Sequence, residues 1–400
     1  MIAVEEAQAR ILSRLSPIST EIVELGDAWG RVLATDLVAR RTQPPFPAAA
    51  MDGYAVRGAD IAEIPVSLTV IGESRAGAGF SGAIGPNRSV RIFTGAPVPE
   101  GADRVVIQEN TSRDGNIVTV RDAGDQASHI RAAGVDFTAG SLGLTSGKRL
   151  SARDIGLAAA MNHPWIEVYR QPRISILATG DEIVLPGEAL GPDQIIGSNG
   201  PAIAALVRAA GGIPFLLPIL PDDPAALAAG IEGTIGVCDL LVTIGGASVG
   251  DHDLVAQCLG EAGMALEFWK IAMRPGKPLL FGTIGALPVL GLPGNPVSAL
   301  LTGLIFLRPA IDALQGLPPQ EHWEQAATTA PLPVNGIRQD YVRATLTRSE
   351  QGDLLTAPLK SQDSSLTSVL ATADCLIRRP PHAGAVPAGG MVSVMRLGMY

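Results

Sequence analysis

Carboxylates, cationic side chains and glycine-rich turns gather in four loops between residues 179 and 296. Thr179-Gly180-Asp181-Glu182 follows the apolar run 174–178, and Gly245-Gly246-Ala247-Ser248-Val249-Gly250-Asp251-His252-Asp253 follows 240–244. Met273-Arg274-Pro275-Gly276-Lys277-Pro278 follows 267–271, and Gly291-Leu292-Pro293-Gly294-Asn295-Pro296 follows 288–290. Gly245 and Gly246 let backbone N–H groups come close to an anion. Pro293-Gly294-Asn295-Pro296 precedes a helix from Val297, whose first amides and positive dipole end favour negative charge. Arg274 and Lys277 add cationic donors. Glu182, Asp251 and Asp253 are hard oxygen ligands suited to Mg²⁺, which takes one or two carboxylates beside phosphate oxygens. Singly, each loop is an ordinary turn or cap. Their concentration makes a shelf for phosphate and metal.

A second chemistry competes for the same loop. Gly246-Ala247-Ser248-Val249-Gly250 matches the nucleophile elbow of hydrolases, with Asp340 or Asp363 and then His382 in the required order. His382 lies in a Pro/Gly loop of a different expected domain, however, and no HGGG-like oxyanion segment precedes Ser248. His252 reads as an exposed loop residue, and Cys238 and Cys258 as core thiols. Further upstream, Asp52 precedes a glycine, Thr94 opens the turn-rich stretch 94–103, and Arg131, Gly134 and Asp136 share a polar loop. Each of these alone is a turn residue.

The elements that must position these residues follow from periodicity. Residues 173–315 alternate strand and helix: strands at 174–178, 213–219 and 240–244, helices at 201–210, 224–231 and 254–259, then strands and a helix from 297. This is the pattern of a parallel, doubly wound sheet, whose ligands bind beyond the carboxyl ends of the strands. All four loops fall at such ends. Residues 1–45 read as mostly helical, with one helix at 4–15 and a second over 29–37. Short runs at 67–71, 90–93, 105–108 and 117–120, with the Asp114-Gly115 hairpin signal, read as a small β domain. Ser151 and Asp154 form a capping box for a helix through Ala160. Short strands at 340–346, 354–359 and 391–397 make another β domain. The expected division is a helical linker domain (1–45 and 141–170), an inserted β domain (46–140), an α/β domain (171–318) and a C-terminal β domain (319–400).

Composition narrows the partners. The net charge is −9, so a basic nucleic-acid footprint is absent. Aromatics are only 4%, too few for base-stacking platforms. The 3 cysteines are far apart with no CxxC, which argues against a zinc site and fits a reducing, cytoplasmic setting. The apolar run 299–307 is too short to span a bilayer and reads as a core helix. The N-terminal segment lacks the basic start and apolar stretch of a secretory signal. Yet 46 glycines and 31 prolines demand a use for so many shaped loops.

Met51-Asp52-Gly53-Tyr54-Ala55, the loop 94–103, TGDE, GGASVGDHD, RPGKP and GLPGNPVSA together resemble, in order, the molybdopterin molybdenumtransferases, the MoeA proteins and the E-domain of gephyrin. The resemblance covers nearly the whole chain. It implies a multi-domain α/β plus β fold: a helical linker domain, an inserted β domain, a MogA-like α/β domain and a C-terminal β-barrel. It implies insertion of molybdate into adenylyl-molybdopterin with release of AMP, assisted by Mg²⁺. It further implies a homodimer whose site is shared between subunits, and other cofactor-biosynthesis proteins as partners. Carried over by motif, Asp52, Thr94, Glu182, Asp222 and Asp253 are the catalytic candidates, with Glu182 and Asp222 on the metal. Arg131, Asp136, Gly245, Gly246, Ser248, Lys270, Arg274, Lys277, Pro293, Asn295 and Pro296 are the substrate- and anion-binding candidates. Arg274 stands where better-known members have Lys, and Gly197-Ser198-Asn199 replaces a more acidic loop. The competing reading within this resemblance is a non-catalytic scaffold that binds the pterin nucleotide.

Overall fold

A computed structural model of the protein describes residues 1–124, 128–245, 254–318, 320 and 323–398. Its central sheet has the strand order Ile213–Leu216, Arg173–Ala178, Leu240–Ile244, Leu287–Leu292, Leu280–Ile284, Met264–Trp269. The first four strands are parallel. The last two are each antiparallel to their neighbour, so the all-parallel expectation is corrected to a mixed sheet. The cause is local. Gly285, at φ 57°, turns the two strand runs after residue 278 into a hairpin, which only antiparallel strands can use. Two reversals restore direction, so Met264–Trp269 ends on the same edge as the four parallel strands.

Both faces of this sheet are covered, which is why Leu240–Ile244 is buried at every position. On one face Ile174, Ile176, Val242 and Leu290 pack against Ile203, Val207 and Leu301 of two helices. On the other, Leu177, Leu241 and Val289 pack against Leu227, Ile231, Val255 and Leu259. Val4, Ala7 and Ile11 of the helix Val4–Ser13 join the first cluster. The helix expected from Val297, which carries the apolar run 299–307, spans Pro296–Leu314 through a π-helical turn at Gly303–Leu307. Gln8 Nε2 donates to the Ile305 carbonyl at 2.9 Å, within that irregular turn. Among the described residues this is the one helix long and apolar enough to cross a membrane, and 72% of its apolar window is buried inside the protein.

The linker region is mixed rather than helical. No helix forms over 29–37; Val32–Leu33 and Thr20–Glu24 flank Trp165–Tyr169 in a three-stranded sheet. Those partners are more than a hundred residues away, so no local periodicity announces them. The helix Ala152–Ala160 forms as expected, with Ser151 and Asp154 capping each other. In the insertion, a six-stranded sheet runs Arg104–Ile107, Gly53–Val56, Arg88–Ile92, Val66–Ser74, Ile117–Val120, Thr111–Asp114, the last pair being the expected hairpin. In the C-terminal region Gln339–Arg348, Leu354–Pro358, Trp323–Thr328, Met391–Arg396 and Cys375–Arg379 pair in turn, and Cys375–Arg379 returns to Gln339–Arg348 to close a barrel. Met273–Arg274 joins this barrel beside Gln339–Arg348, tying one site loop to the C-terminal domain.

Candidate functional site

Strand order reverses between Arg173–Ala178 and Leu240–Ile244, and an open sheet binds ligands at such a switch point. A cleft of about 710 Å³ lies there. Its walls include Thr179, Glu182, Asp222, Gly245, Pro293, Asn295 and Pro296. Backbone pairing extends past the strands to shape it: Leu220 N–H donates to the Ala178 carbonyl and Gly180 N–H to the Leu220 carbonyl. This sets Asp222 beside Thr179, whose hydroxyl donates to Asp222 Oδ1 at 2.5 Å. Asp222 N–H in turn donates to Asp181 Oδ1 at 3.2 Å. The carboxylate of Glu182 folds back over Gly180, where a Cβ would lie 2.6 Å from Oε2 and the backbone has φ 143°. Only glycine fits that position.

The 293–296 loop departs from expectation in one respect. Val297 N–H, one of the amides expected to face an anion, donates to the Ser364 carbonyl at 3.1 Å. Asn295 Nδ2 reaches the Ser364 hydroxyl at 3.1 Å. The C-terminal domain therefore caps this helix and supplies Ser365 to the cleft wall. The cationic loop is also partly engaged. Arg274 pairs with Asp340, a carboxylate that burial pushes up and Arg274 pulls back down. Lys270 lies over the Trp269 ring at 4.9 Å with a left-handed backbone, and Lys277 is exposed. Among the described residues, no group of three or more His, Cys, Asp and Glu could hold a metal. Glu182 and Asp222 put two carboxylates on the cleft wall, the donor type and number that Mg²⁺ uses beside several waters. Gly246, Ser248 and Asp253 lie outside the described residues.

Of the upstream candidates, the structure joins Asp52 to Thr94 at a separate corner of the β insertion. Asp52 Oδ1 accepts from both Thr94 N–H and Thr94 Oγ1, each at 2.7 Å. The Thr94 backbone and then its hydroxyl hold the Asp52 carboxyl below its ordinary range. Arg91 donates to the Gly53 carbonyl at 2.8 Å and to Gln108 at 2.7 Å, bracing the turn from the other side. Arg131 is exposed and pairs with Ala48 in a short ladder, and Asp136 is exposed with its N–H on the Gln43 carbonyl. None of these residues lines the cleft of the same chain.

Sequence reasoning named Asn199 only within the 197–199 loop and did not single out Ser364 or Ser365, nor Arg343 beneath them. Asn199 Nδ2 donates to the Gly294 carbonyl at 2.6 Å across the cleft wall. Arg343 is 1% exposed, with Nε and Nη1 unpartnered, and its backbone N–H is held by Gln362 of the segment carrying Ser364 and Ser365. It reads as one more residue of a strand, and nothing local in the sequence marks it.

The comparisons with known proteins agree with this architecture. Family models described as the MoeA N-terminal region (domain I and II), a probable molybdopterin binding domain and the MoeA C-terminal region (domain IV) match residues 2–162, 175–313 and 325–397. A molybdopterin molybdenumtransferase of Haemophilus influenzae is 34% identical over 98% of both chains. One from Nostoc is 39% identical over 82% of this chain and 77% of its own. A solved molybdopterin biosynthesis MoeA protein of Pyrococcus horikoshii superposes with a TM-score of 0.84 at 30% identity, covering 99% of each chain. With every domain matched in order, the chain belongs to the MoeA family of molybdopterin molybdenumtransferases, enzymes of molybdenum cofactor biosynthesis.

Proposed function

We propose that the switch-point cleft inserts molybdate into adenylyl-molybdopterin, releasing AMP and leaving the metal on the pterin dithiolene. The observation that carries this reading is the meeting of Glu182 and Asp222 with Gly245 and the 293–296 loop at one sheet edge. Molybdate and the AMP phosphate are both anions and must be brought together against their repulsion. Glu182 and Asp222 would hold Mg²⁺, which supplies charge compensation and Lewis-acid polarisation of phosphate oxygens. Thr179 orients Asp222 through its hydroxyl. The Gly245 amide, expected to face an anion, donates instead to the Leu292 carbonyl at 3.2 Å, so the 293–296 loop, Lys270 and Lys277 take the anions, with Gly246, Ser248 and Asp253 completing the loop. Arg274, tied to Asp340, acts chiefly by fixing the segment that carries Lys277. No protein nucleophile is required, since positioning and charge stabilisation carry the reaction.

The Asp52 corner is then a second half-site. A homodimer in which the β insertion of one subunit brings Asp52, Thr94, Arg131 and Asp136 to the partner's cleft uses both halves. The division into 1–45 with 141–170, 46–140, 171–318 and 319–400, and a cytoplasmic location, belong to the same reading. Purified protein given adenylyl-molybdopterin, Mg²⁺ and molybdate should release AMP and yield active cofactor. Tight binding without AMP release would favour the scaffold reading instead.

A further inference from the structure

One polar atom of the cleft wall has no partner. Asn199 opens the helix Asn199–Ala209 and lines the cleft together with Glu182, Asp222 and Gly245. Its Nδ2 is committed to the Gly294 carbonyl at 2.6 Å. That bond fixes the amide orientation, because exchanging the nitrogen and oxygen would set two acceptors against each other. Asn199 Oδ1 is buried and accepts no hydrogen bond. A buried carbonyl left bare costs free energy until a donor reaches it.

We propose that Asn199 Oδ1 is the acceptor that recognises a donor on the nucleoside part of the substrate, either the exocyclic amine of the base or a ribose hydroxyl. This rests on the cleft being the adenylyl site. Asn199 is uncharged, so it adds nothing to attraction for the two anions; what it offers is selection among donors. Its place at the switch point is where nucleotides lie on doubly wound sheets. An Asn amide is also a proven partner for the amine of adenine, although here the committed Nδ2 leaves only the single acceptor. The bond to Gly294 gives Asn199 a second effect, since it holds the loop that opens the next helix.

Isothermal titration calorimetry with the full chain and Mg²⁺ tests this. The probes are AMP, purine riboside 5′-monophosphate, 2′-deoxy-AMP and 3′-deoxy-AMP, against wild type and Asn199→Ala. Wild type should bind one analogue about fivefold to tenfold more weakly than AMP, the size of one lost neutral hydrogen bond. In Asn199→Ala that penalty should disappear, because the partner is gone from both sides of the cycle. A purely structural Asn199 would weaken all four ligands alike and leave the penalty intact, and that result overturns the inference. So does a wild type that treats every analogue as it treats AMP. Where the alanine variant does not fold, Asn199→Gly reads the same cycle, since glycine suits a helix start and carries no side-chain acceptor. Wild type that binds no AMP would instead remove the parent reading of the cleft.

Discussion

The cleft at the sheet edge and the Asp52 corner of the β insertion hold their carboxylates in opposite ways. In the cleft, Asp222 and Glu182 are exposed, and Asp222 has only Thr179 on its Oδ1. Their remaining lone pairs stay open to a ligand. At the corner, Asp52 Oδ1 takes two donors from Thr94, and Arg91 braces the neighbouring backbone. The first arrangement leaves charge available for chemistry. The second uses a charge to fix a loop, which then presents the rest of the corner. The difference predicts that the cleft and the corner respond differently to the same kind of substitution.

The largest effect should come from Asp222→Ala. AMP release should fall by about 10²-fold or more, the range for removing a preorganised electrostatic group, while thermal stability barely moves. Parallel losses of activity and melting temperature would assign Asp222 to folding. Asp52→Ala should cost about tenfold in AMP release through loss of the Thr94 geometry, with Asp52→Asn recovering part of it because one acceptor remains. Equal defects in both variants would mean that the Asp52 charge itself acts. Arg274→Lys should change the KM for molybdate by less than about threefold, because the pair with Asp340 already engages this cation. Arg274→Ala should lower the melting temperature instead, since it leaves the buried Asp340 unpaired.

The smallest effect on catalysis should come from the linker. Burial raises the pKa of Asp154, but the Lys148 hydrogen bond and two donors from Ser151 outweigh it and bring the value to about 2. A depressed carboxyl contributes stability that is complete above its unfolded value near 3.8 and disappears as pH falls through about 2. Ser151→Ala should cost about 1 kcal/mol in denaturant unfolding and leave AMP release unchanged. A change in turnover would couple the linker to the cleft.

Much of the cleft was legible because one regularity governs it. Strand runs end in loops on one edge, so Glu182, Gly245 and the 293–296 loop could be grouped before any contact was known. The hairpin at Gly285 was not legible, because a buried strand has the same apolar run in either direction. The sheet at Val32–Leu33 was hidden by the distance to its partner at Trp165–Tyr169. Ser364 and Ser365 belong to a different domain, and only the tertiary packing brings them to the 293–296 loop. Asp52, Thr94 and Arg131 were found through family motifs alone. Each is by itself a turn residue or a strand end, and nothing local in the sequence groups them.

The central claim is that one catalytic site draws on both half-sites, from different subunits. Co-expressing differently tagged Asp222→Ala and Asp52→Ala chains, and measuring AMP release by the purified mixed species, tests it most directly. In a mixed dimer both lesions fall in one site and the other site is intact. The purified mixed dimer should therefore retain about half of wild-type activity. Activity no higher than that of the two variants assayed separately would contradict the shared site.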